Sequence, residues 1–430
     1  MRVRSRFARA VVASLGALAL LVTVAGCSSG GEAGGDATLA PQTKLADDTR
    51  QQLSAAVTDA MAATGSSGAI AAVWAPWSGT WIEGLGTTAH GDKTPVDPDM
   101  TFRIGSVTRA MTCDVLFQVA ERGTVRLDDS VTKYVSGMPT LSDVTLRQLC
   151  DGTSGIGSYH GVLDPLLRST PGRVWDAREL VGYGVGQTGG DVTPGTGFSD
   201  SDAAYLLLGL ALERATGHTA AELLAEYVFD PLHLTHTALP GSAAADPVVA
   251  GSTPLPGSYL ASRTKTGAYV CDKPTDITEQ SASFGSTDSG VVSDIDDLGA
   301  YVRSLAEGTL VKTKTRLAAP LPVSSSTPTW FTTAGGAVKI GPLIGQYGSA
   351  PGYLTAAFAD PASGLTVAVV LNDSTAGRGP ILDLVRELAA IASMAPGTGG
   401  KDAPALGLPW TADQYHSTIA KNAICPVPRS

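Results

Sequence analysis

The sequence predicts an α/β chain of the α+β type, in which an antiparallel sheet is assembled from both ends of the chain, flanked by helices and interrupted by a helical insertion. Three observations predict it. A hairpin pattern and a helix stand near the start, three strand patterns and a helix stand near the end, and the stretch between them has helical spacing broken by Gly/Pro-rich loops. With 430 residues, 43% of them hydrophobic and 16% charged, the chain can bury one large core or two smaller ones.

In chain order, the first element is a leader. In "MRVRSRFARAVVASLGALALLVTVAGC", Arg2, Arg4, Arg6 and Arg9 precede an apolar run from Val11 to Val24, the basic-then-hydrophobic layout of a secretion signal. The run is short for a membrane span. Its end, Val24-Ala25-Gly26-Cys27, resembles the lipobox of bacterial lipoproteins, which implies cleavage and acylation of Cys27. Residues 1–26 therefore read as a signal peptide, and residues 27–46 as the lipidated cysteine with its flexible tether, "SSGGEAGGDATLAP". The folded domain is expected over 47–395, and a Gly/Pro-rich tail over 396–430. The implied location is the outer face of the bacterial cytoplasmic membrane. Removing residues 1–26 leaves 26 basic against 40 acidic residues, net −14, which argues against nucleic acid or anionic lipid as a partner of the folded part. On this reading the membrane is reached through the anchor.

Asp47 to Ala63 places Leu53, Val57 and Ala60/Met61 at the spacing of one buried helical face. "SGAIAAVWAPWSGTWIEGLGT" (67–87) reads as a hairpin turning at "PWSG", with Trp74, Trp77 and Trp81 as packing residues. Ser106 to Arg122 has no Gly or Pro and repeats Val107, Met111, Val115 and Val119, a core helix that stops at Gly123. A helix is also expected in "SDAAYLLLGLALERATG" (201–217), strands in 335–348, 352–364 and 365–374, and a last helix over 379–394. Once Cys27 is lipidated, Cys113, Cys150, Cys271 and Cys425 remain. In an exported protein these favour disulfides, with three pairings open. No CxxC or His-rich spacing is present, so no metal is expected and no cofactor is implied.

The tripeptide SVT followed by a base occurs twice, in "FRIGSVTRAM" (102–111) and "LDDSVTKYV" (127–135). A serine nucleophile needs its hydroxyl at the start of a helix, where backbone N–H groups favour the developing negative charge, with a lysine one turn on to take its proton. The perfect Ser-x-x-Lys match fails this test, because Gly137 and Pro139 follow Ser130 and Lys133 closely and end any helix. The imperfect match passes, since Ser106 opens the long helix.

The segment from Phe102 to Val135 is similar to the nucleophile region of the class C β-lactamase and D-alanyl-D-alanine carboxypeptidase family. The resemblance continues, in family order, in "LSDVTLRQLCDGTSGI" (141–156), "TPGTGFSDSDAAYLLLGLALERATG" (193–217), "DSGVVSDIDDLGAYVRSLAEG" (288–308) and "GQYGSAPGYLTAAFADPASGLTVAVVLND" (345–373). It implies a β-lactamase/transpeptidase-like fold over nearly all of 47–395. It also implies that Lys265-Thr266-Gly267, which precedes the 288–308 block, is a turn between two short strands rather than the family's third motif. A class A arrangement joining Ser130, "SDS" at 199–201 and this KTG fails on the same order. The helix carrying Cys113 and the segment carrying Cys150 both pack near the nucleophile in the family, which implies Cys113–Cys150 and, with it, Cys271–Cys425.

Against the family's three motifs this chain keeps Ser106 and Gly348 and changes the rest. Arg109 stands for the first-motif Lys, Asp200 and Asp202 for the Tyr and Asn of the second, and Gln346 for the His or Lys of the third. Guanidinium is never deprotonated in a protein, so Arg109 cannot be the general base. Asp200 can serve as a base, though a neighbouring Arg lowers its pKa. The substitutions together imply an ion-pair cluster of Arg109 with Asp200 and Asp202. The backbone N–H groups of Ser106 and Ser349 remain as an oxyanion hole, and His160 is the nearest candidate for a replacement base. The expectation is a catalytically impaired, lipid-anchored cell-envelope protein that binds a peptidoglycan-type peptide or other small carbonyl ligand. The competing expectation is a working serine hydrolase with Ser106 as nucleophile and Asp200 as base. The oligomeric state is left open.

Overall fold

The structure is a computed structural model that describes residues 43–187, 193–241, 253–255 and 257–425. The expected signal peptide, Cys27 and nearly all of the tether lie outside the described residues. No helix among the described residues is long and apolar enough to cross a membrane.

Helix α1 (Asp47–Thr64) buries Leu53, Val57, Ala60 and Met61 and closes on Gly65 in the left-handed conformation. Strands β1 (Gly68–Ala75) and β2 (Gly79–Gly86) form the expected hairpin. Trp74, Trp77 and Trp81 are all buried, and Trp77 Nε1 donates to the Ala395 carbonyl at 3.0 Å. The two-residue strand β3 (Phe102–Arg103) leads into α2 (Val107–Glu121). The insertion then supplies α3 (Leu146–Asp151), α4 (His160–Ser169), α5 (Ala177–Val185), α6 (Asp202–Thr216) and α7 (Ala220–Leu224).

Strands β4 (Tyr259–Arg263) and β5 (Tyr269–Asp276) form a separate hairpin, and Lys265-Thr266-Gly267 lies in its exposed turn. Next come α8 (Ser286–Ser289), β6 (Val292–Ser293), which pairs with β3, α9 (Ile295–Glu307) and α10 (Thr313–Arg316). The chain ends with β7 (Leu321–Pro322), β8 (Phe331–Ala334), β9 (Ala337–Ile340), β10 (Leu343–Ala350), β11 (Tyr353–Ala359), β12 (Thr366–Leu371), α11 (Gly379–Ser393) and α12 (Ala412–Lys421).

Eight strands form one sheet in the order β2-β1-β12-β11-β10-β9-β8-β7, with every neighbouring pair antiparallel. The sheet is thus closed by pairing the first strands with the last, as the two-ended sequence pattern predicts. It separates two apolar layers. Ala69, Ala71 and Val73 face α1 and α11, with Leu53, Val57, Ile381 and Val385. Ile70, Ala72 and Trp74 face Met111, Leu298 and Val302 of α2 and α9. Because both faces are covered, β1, β11 and β12 are buried at every position, and their sequences lose the alternation of a half-exposed strand.

Two expectations are corrected. The single strand read over 335–348 is two, β9 and β10, divided at Gly341-Pro342, where Gly341 takes φ 54° and Pro342 offers no N–H. The stretch read as a surface tail carries α12. It is capped by the Thr411 hydroxyl and buries Trp410, Tyr415 and Ile419 in the same apolar layer as α1 and α11. The Gly/Pro-rich run before it masks so short a helix. The Cys271–Cys425 disulfide, spanning 154 residues, closes this end. Cys425→Ser is expected to cost about 2–5 kcal/mol and to expose α12 to proteolysis. An unchanged urea midpoint and digestion pattern would show that the apolar contacts of α12 suffice.

Candidate active site

Ser106 is fixed by its neighbours on both sides. Gly105 takes φ 55° and lies so close to β10 that a Cβ would stand 2.7 Å from the Ser349 carbonyl carbon. A Cβ on Gly348 would collide with the Ser106 hydroxyl, so any side chain there would displace the serine. Ser106 is the residue before α2, yet its side chain makes no capping hydrogen bond. The preference of helix starts for serine therefore does not account for it.

One turn on, Arg109 is almost wholly buried and uses every guanidinium nitrogen on a carboxylate. Nη1 meets Asp200 Oδ1 at 2.5 Å, Nη2 meets Asp202 Oδ1 at 3.2 Å, and Nε meets Asp288 Oδ1 at 2.7 Å. Its guanidinium carbon lies 4.8 Å from the centre of the Tyr205 ring. Arg378 Nη1 binds the other oxygen of Asp200 at 2.9 Å. The cluster knits α2, α6 and α8. Ser201 caps α6 by accepting from Ala204 N–H at 3.1 Å, which sets Asp202 in the first turn. Thr112 donates to the Thr287 carbonyl at 2.7 Å, and Thr287 donates to that of Tyr205 at 2.9 Å, holding α8 against both helices.

Burial works against the charge on Arg109, but Asp200, Asp288 and Asp202 outweigh it and hold the group well above its usual range. It is a permanent cation. Burial also works against Asp200, but Arg109 and then Arg378 overcome it and lower its pKa, which makes it a poor proton acceptor. Asp288, 1% exposed, is pushed up to about 6 by burial despite Arg109.

Burial likewise raises Asp297, Asp373 and Asp383 to about 6 and Glu387 to about 7. A raised carboxyl contributes stability that is complete below its unfolded value, 3.8 for Asp and 4.5 for Glu, and that is lost as pH rises through the folded value. The thermal midpoint is therefore expected to climb as pH falls from 8 to 5. His90, lowered by burial, opposes this trend. Asp200 acts in another window, since its stabilising contribution is present above 3.8 and lost below. A midpoint that falls between pH 8 and 5 would contradict the assignment.

The sequence-predicted residues separate into two groups. Ser106, Arg109, Asp200, Asp202, Gly348 and Ser349 come together. Gln346 shares the site-facing side of β10 but is committed elsewhere, donating to the Gly336 carbonyl at 2.7 Å and accepting from the Tyr347 N–H at 2.8 Å. Ser349 lines a cleft of about 620 Å³ with His160, Arg168, Arg263, Phe284 and Thr375. Cys113 and Cys150 are bonded next to the cluster, and Tyr205 donates to the Cys150 carbonyl at 3.0 Å. Ser130 caps a single turn, Val131–Lys133, and Lys133 pairs with Asp129 at 2.9 Å on the surface. Sequence reasoning missed Asp288 and Arg378. Asp288 heads the 288–308 block, and its place in that block was the available signal.

The sequence model of the family described as Beta-lactamase matches residues 53–391, and the chain belongs to that family. The D-alanyl-D-alanine-carboxypeptidase/endopeptidase AmpH of Escherichia coli (strain K12) is 29% identical over 163 residues, which cover 35% of this chain and 40% of that protein. The match thus spans less than half of this relative's length. A D-stereospecific amidohydrolase from Streptomyces sp. superposes with a TM-score of 0.64 at 24% identity, over 78% of this chain and 96% of the other. An octameric penicillin-binding protein homologue from Pyrococcus abyssi gives 0.64 at 21%, over 80% and 76%. These structures establish a shared fold.

Proposed function

We propose that this chain is a lipid-anchored cell-envelope member of the Beta-lactamase family in which the acylation chemistry is impaired, so that it binds a small carbonyl ligand without hydrolysing it. The observation that carries the reading is Arg109 held by Asp200, Asp202 and Asp288 at 2.5–3.2 Å. Acylation needs a group beside Ser106 that accepts the hydroxyl proton. The residue one turn along α2 cannot accept one, and the carboxylates of Asp200, Asp202 and Asp288 are already bound to it. Asp200 as a substitute base is disfavoured by its second arginine, Arg378.

The backbone surfaces around Ser106 and Ser349 persist, so a carbonyl ligand can still be held where an oxyanion would form. A peptide ending in D-alanine is the first ligand to try, given the activity named for the Escherichia coli relative. The export and the anchor rest on the basic-then-apolar leader and Cys27.

The test is covalent labelling. The protein is incubated with a fluorescent penicillin and with an activated ester, and Ser106 is examined by peptide mass spectrometry. No adduct is expected. Rapid stoichiometric acylation of Ser106 would overturn the impaired reading and favour a working serine hydrolase. Metabolic labelling with a fatty-acid analogue checks the anchor, with incorporation expected in the wild type and absent in Cys27→Ala.

A further inference from the structure

We propose that His160, Asp202 and Asp288 form a binding site for a divalent first-row metal ion beside the cleft that His160 lines. The site is independent of whether Ser106 acylates, and it departs from the sequence expectation that the chain needs no metal. His160 Nε2 lies 3.8 Å from Asp202 Oδ2 and 3.9 Å from Asp288 Oδ2. These gaps are too long for hydrogen bonds. They are close to the separation of two ligands on one ion, because metal–ligand bonds of about 2.0–2.2 Å at open tetrahedral angles place ligand atoms roughly 3.4–3.8 Å apart. The three ligand atoms all fall within 4.8 Å of one another. A second His/Asp/Asp group, His236 with Asp294 and Asp297, lacks such a gap, since His236 Nδ1 is hydrogen-bonded directly to Asp294 at 2.6 Å.

The surroundings of the first group are those of a built site. Arg109 holds the opposite oxygen, Oδ1, of both carboxylates, which fixes their orientation with Oδ2 toward His160. Asp202 Oδ2 also accepts from the Ser158 hydroxyl and from the His160 N–H at 3.3 Å.

An independent observation points to a ligand. Tyr159 is wholly buried, its ring stacks on that of His160 with centroids 4.9 Å apart and planes at 20°, and it lies within electrostatic reach of Asp288 and Asp202. Its hydroxyl has no hydrogen-bond partner. A water bound near these carboxylates would give this buried donor a partner.

Charge and access agree. Among the described residues, Asp200, Asp202 and Asp288 pair with two guanidinium groups, Arg109 and Arg378, which leaves one negative charge. A divalent ion carrying a hydroxide would bring the group to neutrality, and Zn2+ in a protein site can lower the pKa of its water to about 7. His160 lines the cleft, so an ion can enter there and keep an open position facing it. One imidazole and two carboxylates, with no thiolate, suit Zn2+ or Mn2+.

The experiment strips the full chain with chelator and titrates it with Zn2+ or Mn2+ alone, by calorimetry and, for Mn2+, by the loss of the free-ion electron paramagnetic resonance signal. One ion per chain is expected in the wild type. His160→Gln removes a ligand from a half-buried position, which spares the fold, and is expected to weaken that binding more than about tenfold. His236→Ala is expected to leave it unchanged. Absence of binding in the wild type, full binding in His160→Gln, or loss in His236→Ala would each overturn the site.

Discussion

Arg109→Met is expected to cost the fold about 3–5 kcal/mol at pH 7.5, the magnitude for removing one partner from a buried ion cluster. The cost does not arise because the ion pairs are strongly stabilising. Burying a guanidinium and three carboxylates carries a desolvation penalty that their mutual attraction does little more than offset. Removal of the cation leaves the penalty and takes away the offset. Asp288 and Asp202 are 1% and 7% exposed, and without Arg109 the ion pairs left to them among the described residues are those with His160. Arg378 reaches Asp200 alone.

The deficit has a signature in pH. Asp288 already stands at about 6 with Arg109 present, and loss of the cation raises it further. The missing stability should therefore be largest above that value and shrink as pH falls and the carboxyls protonate in the folded state. Urea midpoints of wild type and variant at pH 7.5 and 5.0 check this. A difference below about 1 kcal/mol, the range of an exposed pair, or one independent of pH, would mean that the carboxylates are solvated and that no buried cluster exists.

The parts of this molecule that were legible in the sequence are those written in local pattern. Helix α2 was visible because the 17 residues from Ser106 to Arg122 lack Gly and Pro and repeat an apolar position every turn, and the hairpin because a turn tetrapeptide divides two apolar runs. The sheet's two-ended construction followed from where those patterns lie. The tail helix α12 was not legible, since its two buried residues, Tyr415 and Ile419, and Trp410 just before it acquire meaning only against α11 and α1. In the site, Arg109, Asp200 and Asp202 were found because each replaces a residue that the family resemblance places. Asp288 and Arg378 replace no motif residue. They enter through tertiary packing, Asp288 on a four-residue helix held to α2 through Thr287 and Arg378 from the turn before α11. Beyond the place of Asp288 at the head of the 288–308 block, sequence order does not show that convergence, and the cluster expected with two carboxylates has three.

The third carboxylate changes what a rescue of activity must contain. By motif alone, Arg109→Lys with Asp200→Tyr and Asp202→Asn would restore the chemistry. In the structure that triple variant leaves Asp288, whose carboxylate sits 2.7 Å from the Arg109 side chain in a nearly solvent-free setting. A lysine introduced there would meet this carboxylate and stay protonated, because an opposite charge within about 4–6 Å favours the charged form. A protonated lysine cannot take the Ser106 proton. The triple variant is therefore expected to remain unreactive toward a fluorescent penicillin at pH 7, while adding Asp288→Asn allows the lysine to lose its proton and Ser106 to be labelled. The comparison between the two variants is the measurement, read as the labelling rate at Ser106 over pH 6–9. In the quadruple variant that rate should rise with the fraction of neutral lysine. If the triple variant labels as fast as the quadruple one, Asp288 does not restrain the site, and the block lies in the three motif substitutions alone.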